Sequence, residues 1–334
     1  MKYYVGHPAQ TRGAEQYVMK GARAEGMNML YLRNGLGLEL WIALDRCADP
    51  YRVSFCGKNA GYMTPAGYVA PTYFNVTEDG GFLKNFTAGF LSTVGFEGAG
   101  EPCVDGDEFV PQHGRIGNTP AELLAIEETD EALTVKVRVR DCVIFGRRFI
   151  LDRKYTLSYT ENSFTLNDTV TNEGEKDAEF LLLYHANMGY PLLNENSIVR
   201  FPNENMRGCD EFAQNDIENA FTMEKPQQGY AERCFYMEPK TATDGKAHAG
   251  IFSPDFDFGV VFSFDKKQLP CLTEWKMMGR RDYVLGIEPG NCWPMARSKM
   301  REEGLLPFLK VEDSYHTEIK FDFTNSLDEF EKKF

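Results

Sequence analysis

Five histidines occur in the 334-residue sequence, and His113 and His185 stand in segments that do not look like ordinary strands or turns. Imidazole changes charge close to neutral pH, so these two side chains are the first candidates for acid–base chemistry. A carboxylate is the natural partner for them. Glu288 is the strongest candidate, because it lies between the apolar residues 284–287 and the turn-forming pair 289–290.

Glu288 would sit at the edge of a core, where partial desolvation raises the pKa of a carboxyl toward neutrality, as a general base requires. The alternative is a solvated carboxylate in a turn. His185 and Asn187 come at the end of an apolar run, residues 181–184, which is typical of a buried strand and would give a site a rigid support. The alternative for His185 is a hydrogen-bonded core histidine.

The segment 111–120 reads Pro-Gln-His-Gly-Arg-Ile-Gly-Asn-Thr-Pro. Its two glycines would let the backbone come close to a ligand, and His113, Arg115 and Asn118 supply polar groups. We predict a binding loop. The alternative is a solvated surface turn rich in Gly and Pro.

A third segment, residues 272–279, contains Glu274, Trp275 and Lys276. An aromatic face beside hydrogen-bonding groups suits a sugar, although core packing would also explain Trp275. The histidines and cysteines show no close spacing typical of metal ligands, which leaves only a dispersed three-ligand site open. The residues alone therefore predict a polar site of His, Glu, Arg and Lys.

Four segments together resemble the aldose 1-epimerase (galactose mutarotase-like) superfamily, and in it an aldose-epimerase-like branch. They are His-Gly-Arg-Ile-Gly-Asn from His113, Tyr-His-Ala-Asn-Met-Gly-Tyr-Pro from Tyr184, Glu-Trp-Lys-Met-Met-Gly from Glu274 and Glu-Pro-Gly-Asn-Cys from Glu288. The resemblance extends over about residues 35–291. The occurrence of all four segments in this order is far more specific than any one of them.

The resemblance implies an enzyme that interconverts the α and β anomers of an aldose. Glu288 would take the proton of the anomeric hydroxyl, His185 would protonate the ring oxygen, and His113 would help to hold that oxygen. No nucleotide, redox or metal cofactor is implied. The residues expected to contact the sugar are Arg115, Asn118, Asn187, Glu274, Trp275 and Lys276.

The late motif Glu-Pro-Gly-Asn-Cys departs from the Glu-Thr-Gln type of galactose mutarotases, and Glu274 stands about where those enzymes offer an aspartate. The identity of the sugar therefore stays open. Arg115 and Lys276 suggest an anionic sugar, bound by charge-assisted hydrogen bonds. A non-catalytic sugar-binding or sugar-sensing protein on the same fold is the alternative function, and a cupin-like metal enzyme is a third possibility.

The elements that must position these groups are mainly strands. Residues 133–140 alternate apolar with polar, residues 154–159 and 163–170 form a hairpin pattern, and residues 259–264 and 317–323 add further strands. Asn34-Gly35 predicts a tight hairpin turn. Helical patterns are scarce, limited to residues 10–24 and a terminal turn at 328–333.

These patterns predict an all-β protein, a large antiparallel β-sandwich with few short helices. We expect one domain over residues 1–334, with residues 1–26 as an N-terminal extension of helical character. The formal net charge of −14 argues against nucleic acid as a partner. Without a membrane-spanning apolar run or a secretory signal, we expect a cytoplasmic protein with reduced cysteines and a monosaccharide or sugar-derivative substrate.

Overall fold

The computed structural model describes residues 3–76 and 80–334, which form mainly antiparallel strands. In chain order, the strands are β1 (Gly13–Val18), β2 (Asn28–Arg33), β3 (Leu38–Ala43), β4 (Asp49–Phe55), β5 (Lys58–Asn59), β6 (Tyr62–Met63), β7 (Ala88–Gly89), β8 (Leu91–Phe96), β9 (Cys103–Asp105), β10 (Glu108–Val110), β11 (Ala121–Glu128), β12 (Ala132–Cys142), β13 (Arg148–Ser158), β14 (Ser163–Asn172), β15 (Ala178–Glu179), β16 (Leu181–Met188), β17 (Ile198–Arg200), β18 (Asn203–Gly208), β19 (Arg233–Pro239), β20 (Ala247–Ser253), β21 (Phe258–Phe264), β22 (Cys271–Met278), β23 (Tyr283–Gly290), β24 (Phe308–Leu309) and β25 (Ser314–Thr324).

The helices are short. The α-helices are α1 (Glu211–Gln214), α2 (Arg297–Glu302) and α3 (Leu327–Glu331), and 3₁₀ turns occur at Pro8–Gln10, Ala22–Ala24, Pro71–Tyr73, Ile116–Asn118 and Ile217–Asn219. In the part of the chain that the structure describes, no helix is long and apolar enough to span a lipid bilayer.

Three large sheets hold most of the strands. Their strand orders are β1-β2-β3-β4-β5, β11-β12-β13-β14-β25-β21-β20-β17 and β18-β19-β22-β23-β16-β8. One apolar core joins them, with members such as Leu40 from the five-stranded sheet, Val137 and Phe321 from the eight-stranded sheet, and Leu182 and Ile287 from the six-stranded sheet. This arrangement confirms the predicted fold class, a large antiparallel β-sandwich.

The alternating pattern at residues 133–140 is confirmed in β12, where Leu133, Val135, Val137 and Val139 are buried. The predicted hairpin of β13 and β14 also forms. The connection after β2 differs from the predicted two-residue turn. Residues 34–37 form a longer loop with positive φ at Gly35 and Gly37 rather than at Asn34.

The helix predicted for residues 10–24 is wrong. Residues Gly13–Val18 form β1, which pairs with β2 from Gly13 opposite Arg33 to Val18 opposite Asn28. Helix propensity is a weak preference, and here the open edge of β2 offers a full ladder of backbone hydrogen bonds in its place. The terminal turn forms as α3 (Leu327–Glu331). The assignment of residues 1–334 to one domain stays a prediction.

Candidate active site

The candidate site lies on one face of the six-stranded sheet. Side chains alternate along a strand, and directly paired residues on neighbouring strands share a face. In β16, Leu182, Tyr184 and Ala186 point into the sandwich core, so His185 points to the other face. Its direct partner on β8 is Ser92.

Glu288 reaches the same face from β23. The pairing of Leu183 with Gly290 and of Ala186 with Ile287 sets Glu288 beside His185. On the other side of β23, Thr273 of β22 is the direct partner of Glu288. A row of polar side chains therefore crosses the adjacent strands β8, β16, β23 and β22. Its members are Ser92, His185, Glu288 and Thr273.

His185 and Glu288 are in close contact: Nδ1 of the imidazole lies 3.3 Å from Oε1 of the carboxyl. Both are buried, with exposed fractions of 4% and 1%. Among the residues that the structure describes, neither of these two atoms has a hydrogen-bond partner, and the same holds for the buried Oγ1 of Thr273 and Oδ1 of Asn187. Unpaired buried polar atoms are rare in folded proteins, so four on three adjacent strands make this face the candidate ligand site.

Burial also shifts the protonation of the pair. It raises the pKa of Glu288 well above its usual value, with a further upward contribution from the charge of Glu232. It lowers the pKa of His185 to about 3, and the neighbouring His113 adds to this. Both side chains therefore favour their uncharged forms in the free site.

His113 is brought to the site by a loop that docks on β8. His113 has a φ of 59°, and Gly114 follows with a φ of 70°. A side chain at Gly114 would meet the carbonyl oxygen of Gly95 at 2.2 Å, and one at Gly117 would meet that of Thr93 at 2.8 Å. These glycines therefore let the loop come close to the backbone of β8, whereas the sequence analysis expected a close approach to a ligand.

The ring of His113 lies edge-on to that of His185, with 5.3 Å between ring centroids. Its Nδ1 is 2.7 Å from the carbonyl oxygen of Ala99, so the neutral ring carries its proton there and leaves Nε2 as an acceptor. Burial lowers the pKa of His113 to about 4. In its neutral form, His113 can accept a hydrogen bond from a sugar hydroxyl but cannot donate one to a ring oxygen.

Three aromatic side chains surround the two histidines. The centroid of the Trp275 ring lies 5.3 Å from that of His185, and its Nε1 donates to Glu232 Oε2 over 2.7 Å. Phe86 lies 5.6 Å from His185, and Phe82 lies 4.8 Å from His113. Sequence reasoning missed both phenylalanines, because they belong to an irregular segment that carries no recognisable pattern.

A small hollow lies beside His113, with a volume of about 10 Å³, room for one water-sized group. Arg46, Asn118 and Ser92 line it with the phenylalanines Phe82 and Phe86. Nη1 of Arg46 and Oδ1 of Asn118 are buried and have no hydrogen-bond partner in the described part of the chain. A donor and an acceptor that are both unpaired can together bind one hydroxyl group. Arg46 was missed by sequence reasoning.

The structure does not bring Glu274 and Lys276 to the site. They flank Trp275 in β22, so alternation directs both into the interior, where neither is exposed. Lys276 Nζ donates to the carbonyl oxygen of Asn219 over 2.9 Å and pairs with Glu224 at 3.1 Å. Burial raises the pKa of Glu274 well above its usual range. This position contradicts the prediction that Glu274 and Lys276 contact the sugar.

Arg115 is engaged elsewhere as well. Its guanidinium pairs with the buried carboxylate of Glu97, which also pairs with Arg147. The guanidinium of Arg115 is thus held by a carboxylate of the protein itself. With Arg115 and Lys276 both committed to internal ion pairs, the basis for an anionic sugar at these two residues is lost.

Within residues 3–76 and 80–334, no three His, Cys, Asp or Glu side chains are grouped so that they could hold a metal ion. The imidazole and carboxyl groups described above are suited to proton transfer and hydrogen bonding. His185 and Glu288 are the groups placed for it.

Solved structures with the same architecture identify the fold class of the chain. A "putative aldose 1-epimerase" from Klebsiella pneumoniae matches with a TM-score of 0.87 and 24% identity, covering 93% of this chain and 83% of that one. A galactose mutarotase-like protein from Clostridium acetobutylicum has a TM-score of 0.69 at 14% identity, covering 95% and 100%. A galactose 1-epimerase from Lactobacillus acidophilus has a TM-score of 0.61 at 13% identity, covering 93% and 98%. The chain therefore has the galactose mutarotase-like fold, as its four motifs predicted.

Within that class, the chain belongs to the family described as Domain of unknown function (DUF4432), whose model matches residues 24–323. No curated protein matches the sequence.

Proposed function

We propose that the protein is an aldose 1-epimerase, which interconverts the α and β anomers of an aldose or aldose derivative by opening and closing the sugar ring. The contact between His185 Nδ1 and Glu288 Oε1, buried and free of other partners, carries this proposal. A protein that merely binds a sugar has no need for an acid and a base side by side.

The reaction needs one proton removed and one added. The Glu288 carboxylate takes the proton of the anomeric hydroxyl, a carbonyl forms at C1, and the bond from C1 to the ring oxygen breaks. Protonated His185 gives its proton to the ring oxygen as that bond breaks. Rotation about C1–C2 presents the other face of the carbonyl, and closure runs both transfers backwards.

The His185–Glu288 pair holds one proton throughout this cycle. It begins as imidazolium and carboxylate, and it ends ring opening as neutral imidazole and protonated carboxyl. Burial in the free site favours the second arrangement. The two charges of the first arrangement attract each other across 3.3 Å, which offsets part of that preference when the sugar excludes water.

The sugar would lie against Trp275, whose aromatic face suits the C–H groups of a pyranose. Asn187 and Asn118 offer unpaired carbonyl oxygens to its hydroxyls. We propose that His113 accepts a hydrogen bond from a further hydroxyl, in place of the expected role of holding the ring oxygen.

We also propose a cytoplasmic location, because all eight cysteines are free thiols.

Saturation-transfer NMR between α and β anomers, across a panel of aldoses, tests this function. We expect enzyme-dependent exchange for at least one aldose. Replacing Glu288→Gln or His185→Asn removes one proton-transfer group, so the exchange rate should fall by about 100-fold or more in each variant.

Glu274→Gln is the matched control, because it makes the same chemical change on the opposite face of the sheet. Its exchange rate should stay close to that of the wild type. Undiminished exchange in both Glu288→Gln and His185→Asn would refute the assigned roles. Sugar binding without exchange for any aldose would instead favour the non-catalytic sugar-binding protein.

A further inference from the structure

A second cavity, of about 630 Å³, lies outside the row of catalytic groups. This volume falls in the range of small-molecule binding sites. Five tyrosines line the cavity, and nothing in the proposed reaction uses them. Tyr62, Tyr68 and Tyr283 are partly buried there, and Tyr190 is 66% exposed. We call it the tyrosine cleft.

The tyrosine cleft offers the two features by which proteins bind sugars, aromatic faces and hydroxyl groups. Burial raises the pKa of Tyr68 to about 12 and that of Tyr62 further still, so both phenols keep their protons. The hydroxyl of Tyr62 donates to Asp282 Oδ1 over 3.1 Å. The side chain of Asn59, which also lines the cleft, adds an amide.

The cleft also carries positive charge. Arg52 and Arg281 line it, and both are exposed. The guanidinium of Arg52 lies 4.5 Å from the ring centroid of Trp41, and neither arginine forms an ion pair with a described carboxylate. None of the residues that line the cleft is acidic, and the carboxylate of Asp282 reaches it only through the hydroxyl of Tyr62. In a chain of net charge −14, two unpaired arginines at one cavity point to an anionic ligand.

A hydrogen bond between two side chains connects the cleft to the hollow beside His113. Tyr51 lines the cleft, and its hydroxyl accepts a hydrogen bond of 2.6 Å from Nε of Arg46. Arg46 in turn lines the hollow beside His113. The Tyr51–Arg46 hydrogen bond therefore joins the wall of the cleft to the wall of the hollow.

We propose that the tyrosine cleft binds an acidic carbohydrate, stacked on the tyrosines and paired through its carboxylate with Arg52 and Arg281. The choice of a carbohydrate among anionic ligands rests on the function proposed above. The proposal that Arg52 and Arg281 bind an anion in the cleft does not depend on it.

Two disaccharides that differ only at one carbon provide the test: cellobiose, and cellobiouronic acid, in which a carboxylate replaces the terminal hydroxymethyl group. Isothermal titration calorimetry on the full chain should give about tenfold tighter binding for the acid, as expected for charge-assisted hydrogen bonds. The double variant R52Q/R281Q should lose this preference. The control R280Q, an exposed arginine next to the cleft but outside its lining, should keep it.

Glu288→Gln distinguishes the cleft from the catalytic site. The proposal requires that this variant bind cellobiouronic acid as the wild type does, whether or not anomer exchange is ever observed. Equal affinity for the two disaccharides, no binding of either at millimolar concentration, or an unchanged preference in R52Q/R281Q would overturn it. Loss of binding in Glu288→Gln would also overturn it, since the acid would then occupy the catalytic site.

Discussion

The contact between His185 and Glu288 differs from a solvated ion pair in where its single proton resides. A solvated glutamate and histidine share one proton only between their ordinary pKa values of about 4.3 and 6.5, with the proton on the imidazole. Here burial moves the two pKa values apart in opposite directions. The one-proton state of the pair is therefore retained over a wider range of pH.

This widening predicts the pH dependence of the reaction. The pair gains a second proton only near the lowered pKa of His185, about 3, and loses its one proton only above the raised pKa of Glu288. Enzyme-dependent kcat/KM should therefore stay nearly constant from about pH 5 upward until the pH approaches the raised pKa of Glu288. Anomer-exchange rates, corrected for the spontaneous reaction at each pH, measure this. A step centred near the ordinary pKa of histidine would show that His185 titrates as a solvated residue.

At the scale of strands, β23 places Glu288 and also leaves room for it. Gly286 precedes Glu288 by two residues on the same face, and it pairs with Trp275 on β22. A Cβ atom at Gly286 would lie 2.3 Å from Glu288 Oε1 and 2.8 Å from Cβ of Trp275. The missing side chain therefore sets where the base and the aromatic wall can lie.

Gly286→Ala should consequently displace the base while the strand is kept. We expect kcat/KM to fall by between about 10- and 100-fold, because small misplacements of catalytic groups cost rates of that order. Anomer-exchange kinetics measure the loss, and a thermal unfolding curve checks that the variant is folded. A folded variant with wild-type kcat/KM would show that the carboxyl does not need this position.

Regular strands were predictable from sequence because their apolar and polar residues alternate, as in β12. The same alternation also applies to the segment Glu274-Trp275-Lys276. Three consecutive strand residues cannot share a face, so either Trp275 or its two neighbours had to point away from the site. Family resemblance located the segment, and only the pairing with β23 decided which face Trp275 takes.

The remaining parts of the site were not accessible from sequence. Phe82 and Phe86 are ordinary apolar residues in an irregular segment, and Arg46 precedes His113 by many residues. Their approach to the histidines depends on long-range packing, which local patterns do not encode. The β1 strand illustrates the same limit, since its pairing with β2 overrides a local preference for helix.

At the scale of the whole molecule, a buried polar network joins the three sheets directly behind the His185–Glu288 pair. Arg153 on β13 donates to Asp168 on β14, to Asp49 on β4 and to Thr93 on β8. The hydroxyl of Tyr184, next to His185 in β16, donates to Asp168 Oδ2 over 2.7 Å. The strand that carries His185 is therefore held by the same charges that fasten the sheets together.

Arg153→Met should destabilise the whole protein, because it leaves the buried carboxylates of Asp49 and Asp168 without their shared cation. Breaking a buried pair from one side costs about 3 to 5 kcal/mol in the free energy of unfolding. Arg138→Met is the matched control on the adjacent strand. Arg138 pairs with Asp152, their side chains are 35% and 45% exposed, and loss of such a surface pair costs at most about 1 kcal/mol. Urea denaturation of both variants measures the difference, and equal losses would mean that the network does not fasten the sheets.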